Sequence, residues 1–333
     1  MTSAETPDTV PPLDCAVDVH AHFLTPRLRA AYRAAGIDGP DGMPGVPSWT
    51  PEAALATMDQ IGTATALLSV SSPGVHLGGQ AGLAATRALA RAVNDEGAAL
   101  VRDHPARFGL LASLPLPDVQ AAIEEAAYAL DTLGADGIAL ATHYDGVYLG
   151  DPRFEPVLAE LDRRPAVVVL HPTTPVCGQQ TALGRSRPMV EFLFDTTRTI
   201  AQLALNGVLD RHPGLRLIVP HAGAALPVLA DRIACFAVMD NPEAPVDVLA
   251  ALRRLHYDVA GFTLPRALPA LLSLVPPEQL LYGSDYPFTP DWVAEGLARD
   301  LATTDALTQE QLRAVVSGNA ALLFPRLTAV HGT

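Results

Sequence analysis

The chain has 333 residues, 49% hydrophobic and 17% charged, with a formal net charge of −14 at pH 7. That much apolar material can build a large core and excludes a disordered chain. The acidic balance, with no basic cluster, argues against a nucleic-acid partner, and no apolar run reaches the ~18 residues needed to cross a bilayer.

The opening stretch, MTSAETPDTVPPLD, has neither a basic start nor an apolar segment. Residues 1–13 therefore read as a mobile arm rather than a secretory signal, and a cytoplasmic protein is expected. The three cysteines, Cys15, Cys177 and Cys235, are far apart and form no C-x-x-C pair. Buried free thiols are expected, not disulfides or a cysteine zinc site. All 22 basic residues are arginine. The absence of lysine excludes a Schiff base, a phosphate-loop lysine and a carbamylated lysine bridging two metals.

Along the chain, short apolar runs alternate with longer helical stretches. The expected strands are 16–20, 65–70, 108–113, 137–141, 166–170, 215–219, 256–260 and 280–284. Their nearly continuous apolar character suits parallel strands covered on both faces. Between them, TPEAALATMDQIG opens on a threonine cap with proline and glutamate behind it and ends in glycine. Further helices are expected over LAATRALARAVNDEGAALVRDHP, from Asp118 to Gly134, over RFEPVLAELDRRP, over VEFLFDTTRTIAQLALNGVLDRHP, and late in the chain over TQEQLRAVVSGNAALLF. Eight strands with intervening helices predict a (β/α)8 TIM barrel over residues 14–333 as one domain. An open doubly wound sheet is the alternative, but no G-x-G-x-x-G follows the first strand. Two segments rich in glycine, proline and polar residues, 34–50 and 171–188, follow strands one and five, where barrel active-site loops belong.

Active sites of such barrels lie at the C-terminal strand ends. The polar residues expected there are His20 and His22 on strand one, His171 on strand five, His221 on strand six and Asp285 on strand eight. A single strand-end histidine is ordinarily structural, and a lone GSD is ordinarily a turn. Five such residues at one end of a barrel point to a metal site. Three imidazoles and a carboxylate suit one divalent ion, Zn²⁺ first, with Mn²⁺ or Fe²⁺ compatible. His20, His22, His171 and Asp285 are assigned to the ion, and His221 stands beside it as acid/base.

The motifs DVHAH, HP after strand five, HAGAALP and GSDYPF resemble the amidohydrolase superfamily. Within it the chain is similar to the aminocarboxymuconate-semialdehyde decarboxylase branch. DGMPGVPSWTPEAALATMD and LLSVSSPGVHL resemble the 6-methylsalicylate decarboxylase type. The resemblance covers roughly Asp14 to Phe324. It implies a mononuclear zinc or manganese site, non-oxidative release of CO2 from an ortho-hydroxybenzoate such as 6-methylsalicylate, and a homodimer. It carries the metal to His20, His22, His171 and Asp285 and an acid/base role to His221. Either Asp285 delivers a proton to the ring carbon while His221 polarises the site, or His221 activates a metal-bound water. A hydrolase of an ester, lactone or amide using the same site, and a non-catalytic binding barrel, are the rival readings.

Other residues carry weaker expectations. Asp18 is expected to steady an imidazole, or else to cap a buried turn. His76, His143, Arg185 and Arg187 are candidates to line the pocket or hold a substrate carboxylate. Trp49 and Phe288 are candidates to contact an aromatic ring, with core packing as the alternative. His104, His212 and His331 read as surface residues.

Overall fold

The structure, a computed structural model, describes residues 12–78, 82–164 and 166–327. Its principal sheet has eight strands in chain order: β1 Ala16–His22, β2 Thr63–Ser69, β3 Phe108–Ser113, β4 Gly137–Ala141, β5 Val167–His171, β6 Arg216–Val219, β7 His256–Asp258 and β8 Leu280–Leu281. Every paired neighbour is parallel. The two edges meet, because Val19 N–H donates to the Tyr282 carbonyl (3.0 Å), Asp285 N–H to His20 (2.7 Å) and His22 N–H to Tyr286 (2.8 Å). The sheet therefore closes into a (β/α)8 barrel, and the open-sheet alternative is excluded. These irregular bonds also explain why β8 ends at Leu281, short of the expected 284. Beyond it the chain bends towards β1 instead of continuing the ladder with β7.

Local signals set several helices. In Pro51–Ile61, Thr50 Oγ1 accepts from Ala53 N–H at 3.2 Å, and Gly62 ends the helix at φ 89°, a left-handed conformation that glycine takes without penalty. Asp118 caps Val119–Ala127 through the Ala121 N–H. The stretch expected as one helix before β6 divides into Glu191–Leu205 and Val208–Arg211 around Gly207, at φ 65°. Helices Leu226–Asp240, Ala267–Leu272 and Asp291–Ala302 were not anticipated. Each has a proline in its first half or just before it, and this punctuation masked the helical period.

Two layers of core hold the barrel. Outside it, the helices bury residues such as Leu140, Leu158, Ile200 and Leu203 against the sheet. Inside it, Val17, Val19, Leu67, Leu111, Val167, Val169, Ile218 and Leu281 pack against Ala320, Leu323, Phe324 and Leu327 of the C-terminal segment. That segment plugs the end of the barrel where the strands begin. The opposite end is left for polar side chains.

Some expectations fail on burial. Cys15, Cys177 and Cys235 are exposed, since they sit before β1, in a loop and on the outer side of a helix. His212 is buried, its Nε2 bonded to Glu155 at 2.9 Å, and His104 is half-buried with its ring edge-on to Phe108. Leu13, placed in the arm, is buried and bonded to the Ile61 carbonyl at 3.0 Å. Residues 1–11 and His331 lie outside the described residues.

Candidate metal centre

Strict alternation along β1 would send His20 and His22 the wrong way. Val17 and Val19 face the barrel interior, so residue 21, not 20 or 22, should follow them inward. The register with β2 breaks instead. Asp18 pairs with Ala66 and Ala21 with Leu68, three steps on one strand against two on the other. This bulge reverses the parity, turning both histidines inward and Ala21 outward into the helix-side core. Asp18 supports it. Its Oδ1 accepts from the His20 N–H (3.0 Å) and the Ser284 N–H (3.1 Å), so it holds backbone rather than an imidazole. Burial raises its pKa to about 6 against those hydrogen bonds.

The inward side chains converge. One ligand atom each from His20, His22, His171 and Asp285 lies within 4.8 Å of the others. The outer ring nitrogens are all engaged. His20 Nδ1 meets Asp258 Oδ2 at 2.8 Å, His171 Nδ1 meets the Pro172 carbonyl at 2.7 Å, and His22 Nδ1 meets Ser69 Oγ at 2.9 Å. A carboxylate and a carbonyl only accept. Ser69 Oγ spends its hydrogen on the Ala21 carbonyl at 3.1 Å, so it accepts from His22. Each Nδ1 therefore carries a proton, and each Nε2 faces the centre, where loss of its own proton frees a lone pair for a metal ion. His20 Nε2 is buried there with no hydrogen-bond partner.

These residues fit a metal ion. Tetrahedral bonds of ~2.0–2.2 Å place ligand atoms roughly 3.3–3.6 Å apart. Asp285 Oδ1 stands 3.1 Å from His22 Nε2 and 3.6 Å from His20 Nε2. Burial pushes the His171 pKa well below its ordinary value, helped by the neighbouring imidazoles, and burial also lowers His22. At His20 burial acts downward too, but the Asp258 and Asp285 carboxylates prevail and raise it to about 9. Burial works against the Asp285 carboxylate, yet the hydrogen bond with His22 and the nearby His221 and His20 imidazoles hold it ionised, well below the usual range.

His221 Nε2 lies 3.7 Å from Asp285 Oδ2, on the side away from His22. Both residues have positive φ, 56° for His221 and 60° for Asp285, which is sparsely populated backbone for non-glycine residues. Asp258 was missed by the sequence reading. It binds the His20 ring through Oδ2, and its Oδ1 accepts from the N–H groups of His221 (2.9 Å) and Ala260 (3.0 Å). The rule that found Asp285 passed over it because the expected seventh strand ran on to residue 260, whereas the observed one ends at Asp258. Ser69, at the end of β2, was missed because serine carries no distinctive signal.

Two cavities open from the cluster, sharing Ser71 and His171. One, of 530 Å3, is lined by His221, Asp285, Phe288, Met189 and residues of both expected loops, including Asp41, Met43, Ser186 and Pro188. Phe288 also stands edge-on to His22, with centroids 5.6 Å apart. The other, of 320 Å3, is lined by Ser72, His76, His143 and Asp145. His76 is bonded to Asp145 (3.0 Å) and Thr86 (3.2 Å), and His143 to backbone at Thr174 and Gly146. Neither reaches the metal cluster. Trp49 is not in either cavity. It packs on Phe23 in the helix-side core, because the chain from the 34–50 loop has turned behind β1 by that point. Arg185 is exposed, and Arg187 lies on the turn at Gly42 beside Asp41. Neither arginine lines either of these two cavities, because the loop's Ser186 and Pro188 face inward instead.

Comparison with known proteins agrees with this architecture. The Amidohydrolase family model matches residues 17–326. The 6-methylsalicylic acid decarboxylase of Aspergillus aculeatus is 38% identical, over 93% of this chain and 96% of the relative. The 6-methylsalicylic acid decarboxylase of Penicillium expansum is 36% identical, over 94% of this chain and 97% of its own. A solved structure of an amidohydrolase II superposes with a TM-score of 0.88 at 39% identity, covering 93% of this chain and 99% of that one. A metal-binding cluster at the strand ends of a closed barrel, with a family match over nearly the whole chain, places this protein in the amidohydrolase family.

Proposed function

We propose that the protein is a metal-dependent decarboxylase that releases CO2 from an ortho-hydroxybenzoate-type acid, with 6-methylsalicylate as the reference substrate. The observation that carries this reading is the convergence of three Nε2 atoms and the Asp285 carboxylate beside a largely apolar 530 Å3 cavity. The names of the two relatives support the choice of reaction.

His20, His22, His171 and Asp285 hold the ion in this reading, Zn²⁺ first and Mn²⁺ as the alternative. When bound, the ion supplies positive charge for the substrate's carboxylate and phenol oxygens and fixes their position. No lysine or arginine lines the cavity to do so. Substrate binding releases the phenolic proton to the pair of Asp285 and His221. His221, 3.7 Å from the carboxylate, shares and orients that proton. Asp285 then returns the proton to the ring carbon that bears the carboxyl group. The carbon–carboxyl bond breaks, its electron pair restores the aromatic ring, and CO2 leaves. The balance needs no oxidant or hydride. Phe288 and Phe192 exclude water from the ring.

We also propose a homodimer. Val228, Phe236 and Met239 on helix Leu226–Asp240 are 73%, 45% and 63% exposed, an apolar face that a second copy would cover.

The test is CO2 release and product analysis on 6-methylsalicylate, with Zn- and Mn-loaded protein. Decarboxylated phenol, abolished by Asp285→Asn in a folded variant, is the expected result. Hydrolysed esters or lactones without CO2 from any salicylate would replace this reading with a hydrolase.

A further inference from the structure

The cavity beside Asp285 and His221 is larger than a one-ring acid bearing a methyl group requires. It encloses 530 Å3, within the range of pockets that bury drug-sized ligands. Its walls divide by chemistry. His171, His221 and Asp285 stand at the inner end. Met43, Met189, Phe192, Leu193, Phe262 and Phe288 form the large apolar part of the remaining wall, which Asp41, Ser71, Ser186, Thr263 and Thr289 interrupt. Met189 is 61% exposed and Phe262 79% exposed, so the apolar wall runs from the cluster out to the surface. The 320 Å3 cavity across His171 has the more polar wall, with Ser72, His76, His143, Asp145 and Thr173 in it and no phenylalanine or methionine. An apolar substituent on a ring held at the cluster has one favourable direction.

We propose that the preferred substrates are salicylate-type acids whose ring carries an alkyl chain longer than methyl, with the chain lying along Phe192, Met189 and Phe262. This rests on the decarboxylase reading above and names its substrate class more closely. The chain replaces water on side chains that otherwise stay wet at the mouth. Each methylene that leaves water against such a wall raises kcat/KM by up to about fourfold. The gain ends where the wall ends, at Phe262.

The experiment measures kcat/KM for CO2 release from salicylate and its 6-methyl, 6-propyl and 6-pentyl derivatives by the metal-loaded protein. The expected result is a rise from methyl to pentyl, with Phe262→Ala and Met189→Ala each lowering the pentyl-to-methyl ratio. Release from the methyl compound with a flat or falling series would overturn the chain-length inference and leave the decarboxylase intact. No release from any member would remove both. The wild-type series decides the question even if a variant fails to fold. A variant that dissociates a dimer in sedimentation, with an unchanged pentyl-to-methyl ratio, would assign Phe262 to a subunit contact and overturn the inference.

Discussion

Asp258 and His20, 238 residues apart in sequence, are joined by a 2.8 Å contact between Oδ2 and Nδ1, with both side chains buried. The same carboxylate holds the backbone of His221 through its other oxygen. One group thus fixes the tautomer of a proposed ligand and the position of the proposed acid/base. Carboxylates in this position make a ligand imidazole more basic and orient its ring. Asp258→Asn should lower metal affinity or activity by about 10–100-fold while the far-ultraviolet circular dichroism is unchanged. Metal analysis after dialysis checks the first, and CO2 release the second. Wild-type affinity and rate in the folded variant would show that His20 does not depend on this contact.

Gly283 lies between the two halves of the site. A Cβ there would stand 2.7 Å from His20 Cβ and 3.1 Å from Ala260 Cβ. Neither neighbour is the free end of a flexible chain, so the backbone must move. Gly283→Ala is expected to cost about 1–3 kcal/mol in denaturant unfolding and to weaken metal binding together with it. Retained stability and metal stoichiometry would show that β1 can yield.

Phe324 closes the opposite end of the barrel, packed among interior side chains from several strands and 2% exposed. Phe324→Ala leaves a cavity in a wall that cannot collapse easily, and a loss of about 3–5 kcal/mol follows. The molecules that remain folded should keep normal metal content, because the plug is at the far end from the cluster. Unfolding in urea, with metal analysis of the folded fraction, separates the two effects.

Glu155 is held by Arg211 (2.8 and 2.9 Å) and by His212 (2.9 Å). These hydrogen bonds, the Arg211 pair above all, outweigh burial and lower its pKa from 4.5 to about 2. A carboxylate lowered in this way stabilises the fold fully above its unfolded pKa and loses that contribution as pH falls through the folded value. Glu155→Gln should therefore destabilise at pH 7, and the difference from wild type should shrink between about pH 4.5 and pH 2. Solvent screening of the partly exposed pair keeps the effect to about 0.5–1 kcal/mol. Unfolding midpoints across that range provide the measurement.

Much of this protein was legible in its residues. The eight apolar runs gave the strands to within a few positions, because parallel barrel strands are covered on both faces and read as continuous hydrophobic stretches. The rule that barrel sites stand at the C-terminal strand ends collected His20, His22, His171, His221 and Asp285 before any coordinates. Thr50 and Asp118 announced their helices, since capping is local chemistry. The loop side chains were less readable. Trp49, Arg185 and Arg187 lie away from the cavities because loop direction depends on what the loop packs against, not on its own composition.

What the sequence determined alone is therefore periodic or local: strand and helix identity, the fold class and the set of residue types available to the site. What tertiary structure decided is which way they face. Alternation from Val17 and Val19 would have turned His20 and His22 out of the barrel, and only the bulge against β2 brings them in. An inserted residue leaves no mark on a hydrophobic pattern, because it is defined by the neighbouring strand's register. The partnership of Asp258 with His20, and the space kept open by Gly283, likewise exist only once strands far apart in sequence become neighbours in a closed barrel.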